Sequence, residues 1–398
     1  MPQVRHGDRA SRRAFLRGVG LGCIAFLPRI GRAENIEPPA PRFLLEWGRR
    51  GKLEGEFDAC VGIAIGKDDE VYTAEFRNQR VQRFTSEGKF LSAFPVQPHA
   101  GGLAVDAQGT VYVAHWNSHK LAAYSPSGEL LREWGQKGTA DGEFQLPGSV
   151  ALGPDGLLYV PDQGNSRVQK FTPSGEFVGK WGTLGSEPGQ FGGGQAAGGR
   201  FAGPQFVAFD RAGAVYTTDA ALDRIQKFTP EGKLLAFWGS ESPEPGGFGP
   251  PPMQNGAPIM GGPISLCVDP RDQVWVSATN NRVQQFTNDG KYLQGIGGEG
   301  KAPGKFDLPH GIALDSQGSL YVTDTMNARI QKFAVGESAK ADHSCRSDKT
   351  LQRLSNERRL FDDDLWAFEG HFSIQSHELF PLRRDVVFVE DRLDRALW

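Results

Sequence analysis

Apolar residues in this chain come in short runs separated by turn-forming residues, and the pattern is clearest between Gly148 and Gly182. Four runs stand there: Val150–Leu152, Leu157–Val160, Val168–Phe171 and Phe177–Trp181. Pro154-Asp155-Gly156, Gly164-Asn165-Ser166 and Pro173-Ser174-Gly175 divide them. Gly and Asn tolerate positive φ and Pro presets φ, so the chain reverses at each divider. Runs this short and rich in Val, Phe, Tyr and Trp predict strands. The stretch therefore predicts a four-stranded antiparallel meander, which needs copies of itself to cover its apolar faces.

The copies are present. The residue before the first turn recurs as Gly66, Asp106, Gly153, Asp210, Asp269 and Asp315, at separations of 40, 47, 57, 59 and 46 residues. A four-strand repeat of about 40–45 residues is the mark of propeller blades, with the extra length falling in linkers. The third run of each unit starts at Val81, Leu121, Val168, Ile225, Val283 and Ile330, which gives six units. The sixth ends at Phe333 with no fourth run, while Phe43–Gly48 (FLLEWG) matches Leu130–Gly135 (LLREWG) at the other end of the chain. The expected fold is all-β: a six-bladed β-propeller over residues 41–336, its last blade closed by the N-terminal strand, which hides two sheet edges.

The flanks differ from the repeats. Residues 1–33 hold seven Arg and one Asp, followed by the apolar run Val19–Leu27 and the small residues Gly31-Arg32-Ala33. Ser11–Arg17 (SRRAFLR) resembles the twin-arginine export motif, which implies a signal segment, passage in the folded state and a periplasmic or secreted protein. Lipidation at Cys23 is a weaker alternative. The run is too short to span a bilayer, and no other segment qualifies. Without residues 1–33 the net charge moves from −3 to −9, counted as 37 basic and 46 acidic residues. That and the dispersal of Lys and Arg exclude a nucleic-acid partner. Residues 337–398 match no blade and predict a disordered or loosely docked tail. Cys60, Cys267 and Cys345 follow the export segment in no zinc-type spacing, and Cys267 takes a slot held by Ala in the other units, so it reads as packing.

The pattern GLAVD…GxVYVxD…NxRVQxF…GxxLxxWG resembles the NHL repeat. That resemblance implies a propeller used for binding or scaffolding, with catalysis in a few members. In a meander the linkers and the b–c loops share one face, where length and composition vary, while the short a–b and c–d turns share the other. Variable loops on a repetitive scaffold are where function is expected. Asp162, Asp219 and Asp324, each five residues before Arg167, Arg224 and Arg329, recur and so read as structural. Two features are singular. Blade 2 has His115 in the Asp slot and Lys120 in the Arg slot, with Trp116 and His119 between them. His310 opens the innermost strand of blade 6, facing the mouth of the central channel. Arg77 and Met326 stand on the b–c loops of blades 1 and 6. Peptidyl-hydroxyglycine amidating lyases, a related six-bladed family, place zinc-binding His at such strand starts, but zinc needs three convergent imidazoles. The expectation is therefore a monomeric binding module for a protein, peptide or glycan ligand contacted by Arg77, His115, Trp116, His119, His310 and Met326. It has no cofactor, metal or catalytic residues; the alternative is a metal-assisted lyase or hydrolase at the channel mouth. Phe248, Met253 and Met260, in a long linker, offer a further partner surface.

Overall fold

The computed structural model describes residues 39–193, 203–249, 253–254, 257–258 and 261–335. The expected export segment (residues 1–33), residues 337–398 and Met260 lie outside these residues. Six four-stranded antiparallel sheets form a ring, with one two-residue hairpin, Met253–Gln254 with Ala257–Pro258, in a linker. Blade 3 is Ala151–Leu152, Leu158–Asp162, Arg167–Phe171 and Phe177–Trp181, as the pattern predicts. Arg42–Trp47 lies alongside Arg329–Ala334, with Phe43 opposite Phe333 and Trp47 opposite Ile330, so the first strand does complete the last blade. No helix among the described residues is long and apolar enough to cross a membrane.

Six parts of the core each lie between two neighbouring blades, and a small seventh joins Ile264, Leu308 and Phe206. A small-to-large pairing recurs inside the blades. Ala64, Ala104, Ala151, Ala208 and Ala313 on strand a sit opposite Tyr72, Tyr112, Tyr159, Tyr216 and Tyr321 on strand b. In blade 5 Cys267 faces Trp275, so the thiol fills a slot that only a small side chain fits. Cys60 and Cys267 are free thiols.

Two devices join the blades around the channel. A Cβ added at Gly101 would stand 2.5 Å from the Gly148 carbonyl oxygen, and one at Gly148 would stand 2.6 Å from that of Gln205, so glycine lets these inner strands touch backbone to backbone. Elsewhere a hydroxyl crosses the seam: Thr218 donates to the Ile264 carbonyl, Ser277 to that of His310 and Thr325 to that of Cys60.

Candidate functional site on the long-loop face

The long loops are held from beneath by a repeated buried ion pair. Its carboxylates, expected on the b–c loops, are the last residues of strand b, and their arginines are the first of strand c. In blade 3, Arg167 Nε donates to Asp162 Oδ2 at 2.8 Å. Its other nitrogens donate to the Thr139, Ala140 and Glu143 carbonyls of the linker entering that blade. Blades 4 and 6 repeat the arrangement with Asp219–Arg224 and Asp324–Arg329, and blade 1 with Glu75–Arg80. Just ahead of strand a, each such linker also buries a phenylalanine, Phe57, Phe144, Phe191 or Phe306, against the aromatic residue of strand c. A planar guanidinium with several donors is suited to this task, because it pins one carboxylate and three carbonyls at once.

Blade 2 departs from this scheme for a structural reason. Its strand a is reached from Pro95 through Val96–His99 alone, so there is no long linker to pin. His115 is therefore not on a solvated loop. It ends strand b with no exposed surface, and its Nε2 lies 3.3 Å from the Tyr124 hydroxyl. Lys120 pairs instead with Glu133 at 2.6 Å. His119 holds the left-handed position closing the b–c turn, with φ of 56°, and its Nδ1 accepts the Leu146 N–H at 3.0 Å. Asn281 Oδ1 receives the Leu308 N–H in the same way at the seam of blades 5 and 6. Trp116 is buried, its Nε1 donating to Gln163 Oε1 at 3.3 Å.

The channel mouth is closed. Phe206 reaches across it from blade 4. Its ring packs 5.7 Å from that of His310 in blade 6, and a Cβ at Gly102 in blade 2 would meet it at 2.9 Å. Phe76, Trp116 and His310 complete the closure around a remnant of about 30 Å³, also lined by Gln163 and Gln205. That is room for about one water molecule. Burial pushes the imidazoles of His115 and His310 down to about 4. Both stay neutral in the folded protein while their unfolded counterparts, near 6.5, take up protons. Stability should thus be complete above about pH 6.5 and decline as pH falls toward 4, by on the order of 3 kcal/mol for each histidine. Melting temperatures across that range check this: the acid limb should flatten in a His115→Gln, His310→Asn double variant.

Arg77 and Met326 are linked elsewhere, through Asp58 and Arg50 on the rim where blades 6 and 1 join. Asp58 Oδ1 lies 3.5 Å from Arg77 Nη1 and 3.2 Å from Arg50 Nη1. Arg50 also donates to the Met326 carbonyl at 3.0 Å. Met326 is 41% exposed and the Arg77 side chain 39%, so a mixed apolar and cationic patch stands open to solvent. The six residues singled out in the sequence thus divide into this rim pair, the channel closure (Trp116 and His310), and two residues that hold loops (His115 and His119). Phe206, Arg50 and Asp58 were not singled out. Phe206 had a signal, since the equivalent positions are Gly62, Gly102, Ser149, Ser265 and Gly311.

The zinc site implied by the amidating-lyase resemblance does not fit these residues. One imidazole faces the mouth, among aromatic rings and amides, while His115 and His119 are engaged elsewhere. Among the described residues no group of three His, Cys, Asp or Glu is placed to hold a metal ion.

Comparison with known proteins agrees with the fold. The NHL repeat family profile matches residues 144–171 and 306–333. Mouse NHL repeat-containing protein 3 is 28% identical over 113 residues, 27% of this chain and 30% of that protein. Mouse peptidyl-glycine alpha-amidating monooxygenase is 33% identical over 141 residues, 33% of this chain and 13% of that protein. The chain therefore spans less than a third of these relatives. Among solved structures, a Bacteroides thetaiotaomicron protein of unknown function superposes with a TM-score of 0.55 at 19% identity, over 74% of this chain and 76% of that one. A Xanthomonas campestris gluconolactonase gives 0.51 at 15% identity, over 76% and 96%. These likenesses show the fold: the chain carries NHL repeats in a six-bladed propeller.

Proposed function

We propose that this protein is an extracytoplasmic binding scaffold that recognises a protein, peptide or glycan ligand on its long-loop face. The observation that carries this reading is the rim at blades 6 and 1. Arg77, Arg50 and Met326 are exposed there, on loops that buried guanidinium forks hold from below. A rigid platform loses little ordering entropy on binding, and arginine beside an adaptable thioether suits polar and apolar contacts together. NHL propellers are commonly protein-interaction scaffolds, which fits. The closed mouth argues against chemistry at the channel, and the donor set argues against the metal-assisted alternative. The export expectation rests on Ser11–Arg17 and is tested by replacing Arg12 and Arg13 with Lys, which should keep the protein inside the cell.

The surface is tested by capture. Immobilised protein should retain a defined partner from an extracytoplasmic extract, and an Arg77→Glu, Met326→Glu variant should lose it by at least about tenfold, the effect of an interface centre costing more than 1 kcal/mol. Phe237→Glu, on the outer wall of blade 4, should retain it. Equal capture by the rim variant would refute the assignment.

A further inference from the structure

The other end of the channel is open. Phe206 separates the closed mouth from a funnel of about 720 Å³ on the short-turn face. The inner strands touch near their starts, at Gly101 and Gly148, and end in larger side chains. The last residue of strand a in every blade lines the funnel: Ile65, Val105, Leu152, Phe209, Val268 and Leu314, all apolar and all half-buried. Each packs part of its side chain against the core between two blades and leaves the rest to the funnel. The cavity is of a size usual for binding pockets, and its wall is apolar as theirs are.

The charges around it are spoken for. The six a–b turns that form the lip carry nine Asp or Glu and three Lys or Arg, so the face is net acidic. Asp210, Asp269 and Asp315 each accept two turn N–H groups through Oδ1. Their Oδ2 atoms pair with Lys227, Arg271 and Lys332 of the protein itself. The lip therefore repels an anionic head group and keeps no carboxylate in reserve for a cationic one.

One polar group at the floor is not spoken for. Ser149 and Ser265 flank Phe206 there, both only 2% exposed. The Ser149 hydroxyl meets no hydrogen-bond partner among the described residues. A buried hydroxyl left unpaired costs free energy, and so it calls for an explanation. An apolar wall ending in one such hydroxyl matches the usual plan of a small-molecule pocket, in which apolar contact supplies affinity and a few polar groups fix orientation.

We propose that the short-turn funnel binds an uncharged, long-chain alcohol or ketone, its apolar body against the six strand ends and its oxygen on the Ser149 hydroxyl. This goes beyond the long-loop reading and concerns the opposite face. The test uses the full chain and diphenylhexatriene, a hydrocarbon dye that brightens in apolar surroundings. The dye should bind saturably, and 1-decanol should displace it. Decanoate should do so at least about tenfold more weakly, because its charge finds no cation on the floor and faces the acidic lip. Ser149→Ala should weaken decanol by about threefold to tenfold, the worth of one hydrogen bond, and leave the dye's own binding unchanged. Leu152→Asp should abolish binding of both; should that variant fail to fold, Ser149→Ala still decides. The absence of saturable dye binding, as a funnel filled by another segment or a second copy would give, would overturn the proposal. So would equal displacement by decanol and decanoate, or decanol binding that Ser149→Ala leaves unmoved. The Arg77→Glu, Met326→Glu variant should leave every one of these readouts as it is, so failure here and failure of the long-loop assignment are told apart.

Discussion

A chain that begins at Gly48, lacking Arg42–Trp47, will fail to form a monomeric propeller with a single cooperative melt. The missing strand is the whole fourth strand of blade 6. Phe43 packs edge-on to Phe333 at 5.9 Å, and Trp47 lies 5.9 Å from Phe84 and 6.2 Å from Tyr321, so its ring joins blade 6 to blade 1. Glu46 adds a carboxylate 2.7 Å from Arg329 Nη1. Phe43 and Trp47 are half-buried, so truncating each costs less than the about 3–5 kcal/mol of a fully buried aromatic side chain. Losing two, with the strand's hydrogen bonds, is comparable to the roughly 5–15 kcal/mol that holds a domain folded. Arg329–Ala334 would also become an unpaired edge, a template for pairing with another chain. Size exclusion should show oligomers, circular dichroism should show a broad early melt, and a synthetic peptide of residues 39–48 added in trans should restore part of the transition. Trp47→Ala alone should cost about 2 kcal/mol, less than a fully buried aromatic, since its ring is half-buried. A truncated chain that stays monomeric with its melting point unmoved would contradict the account of ring closure.

Asp324→Ala is expected to be the most damaging single substitution on the long-loop face. Its carboxylate accepts from Arg329 Nε at 2.7 Å, Asn327 Nδ2 at 2.9 Å, Gln331 Nε2 at 3.0 Å and the Asp307 N–H at 2.8 Å. Removing it takes away the buried counter-charge of the guanidinium, leaving it only the half-exposed Glu46, and leaves several donors without an acceptor. Breaking a buried pair from one side costs about 3–5 kcal/mol. Denaturant unfolding should therefore show a large drop in midpoint with the slope little changed. Removing the charge on both sides, with Asp324→Ala and Arg329→Met together, should recover part of the loss, because no lone buried charge remains. Lys120→Met in blade 2, where the cation is half-exposed and pairs at the surface, should cost no more than about 1 kcal/mol. Equal costs at the two positions would show that the fork in blade 6 is not what holds its linker.

Much of this was legible in the residues. The blade count, the strand positions and the closing strand follow from a four-run period and from a WG-ending run displaced to the far end of the chain. The Asp–Arg spacing was legible as structure, since a group repeated around a ring serves the ring. What the sequence hid was the third dimension of the singular residues. His115 and Lys120 stand out on paper because both members of a repeated pair change together. The physical cause is the linker before blade 2, whose shortness shows in the 40-residue first separation but bears on the histidine only once Arg167 is seen pinning linker carbonyls. His310 was placed correctly at the mouth, but its surroundings depend on Phe206 crossing from another blade, and such a contact across the axis leaves no local pattern. The open end of the channel escaped notice for a related reason. Its lining consists of ordinary strand-end apolar residues, whose joint meaning appears only when the six strands are set in a circle.

The shared sixth blade also sets the order of events during synthesis. Arg329 and Glu46 meet across 283 residues of sequence. The leading strand therefore emerges from the ribosome with nothing to pair with, and waits until nearly the whole repeat region has been made. Contacts this distant in sequence form slowly, since loop closure precedes any reward. Throughout that interval Phe43, Leu45 and Trp47 form a short sticky ribbon next to the N-terminal segment, open to chaperones and to the growing ends of neighbouring nascent chains. The closing strand is thus the last to find its place, however stable each finished blade is by itself.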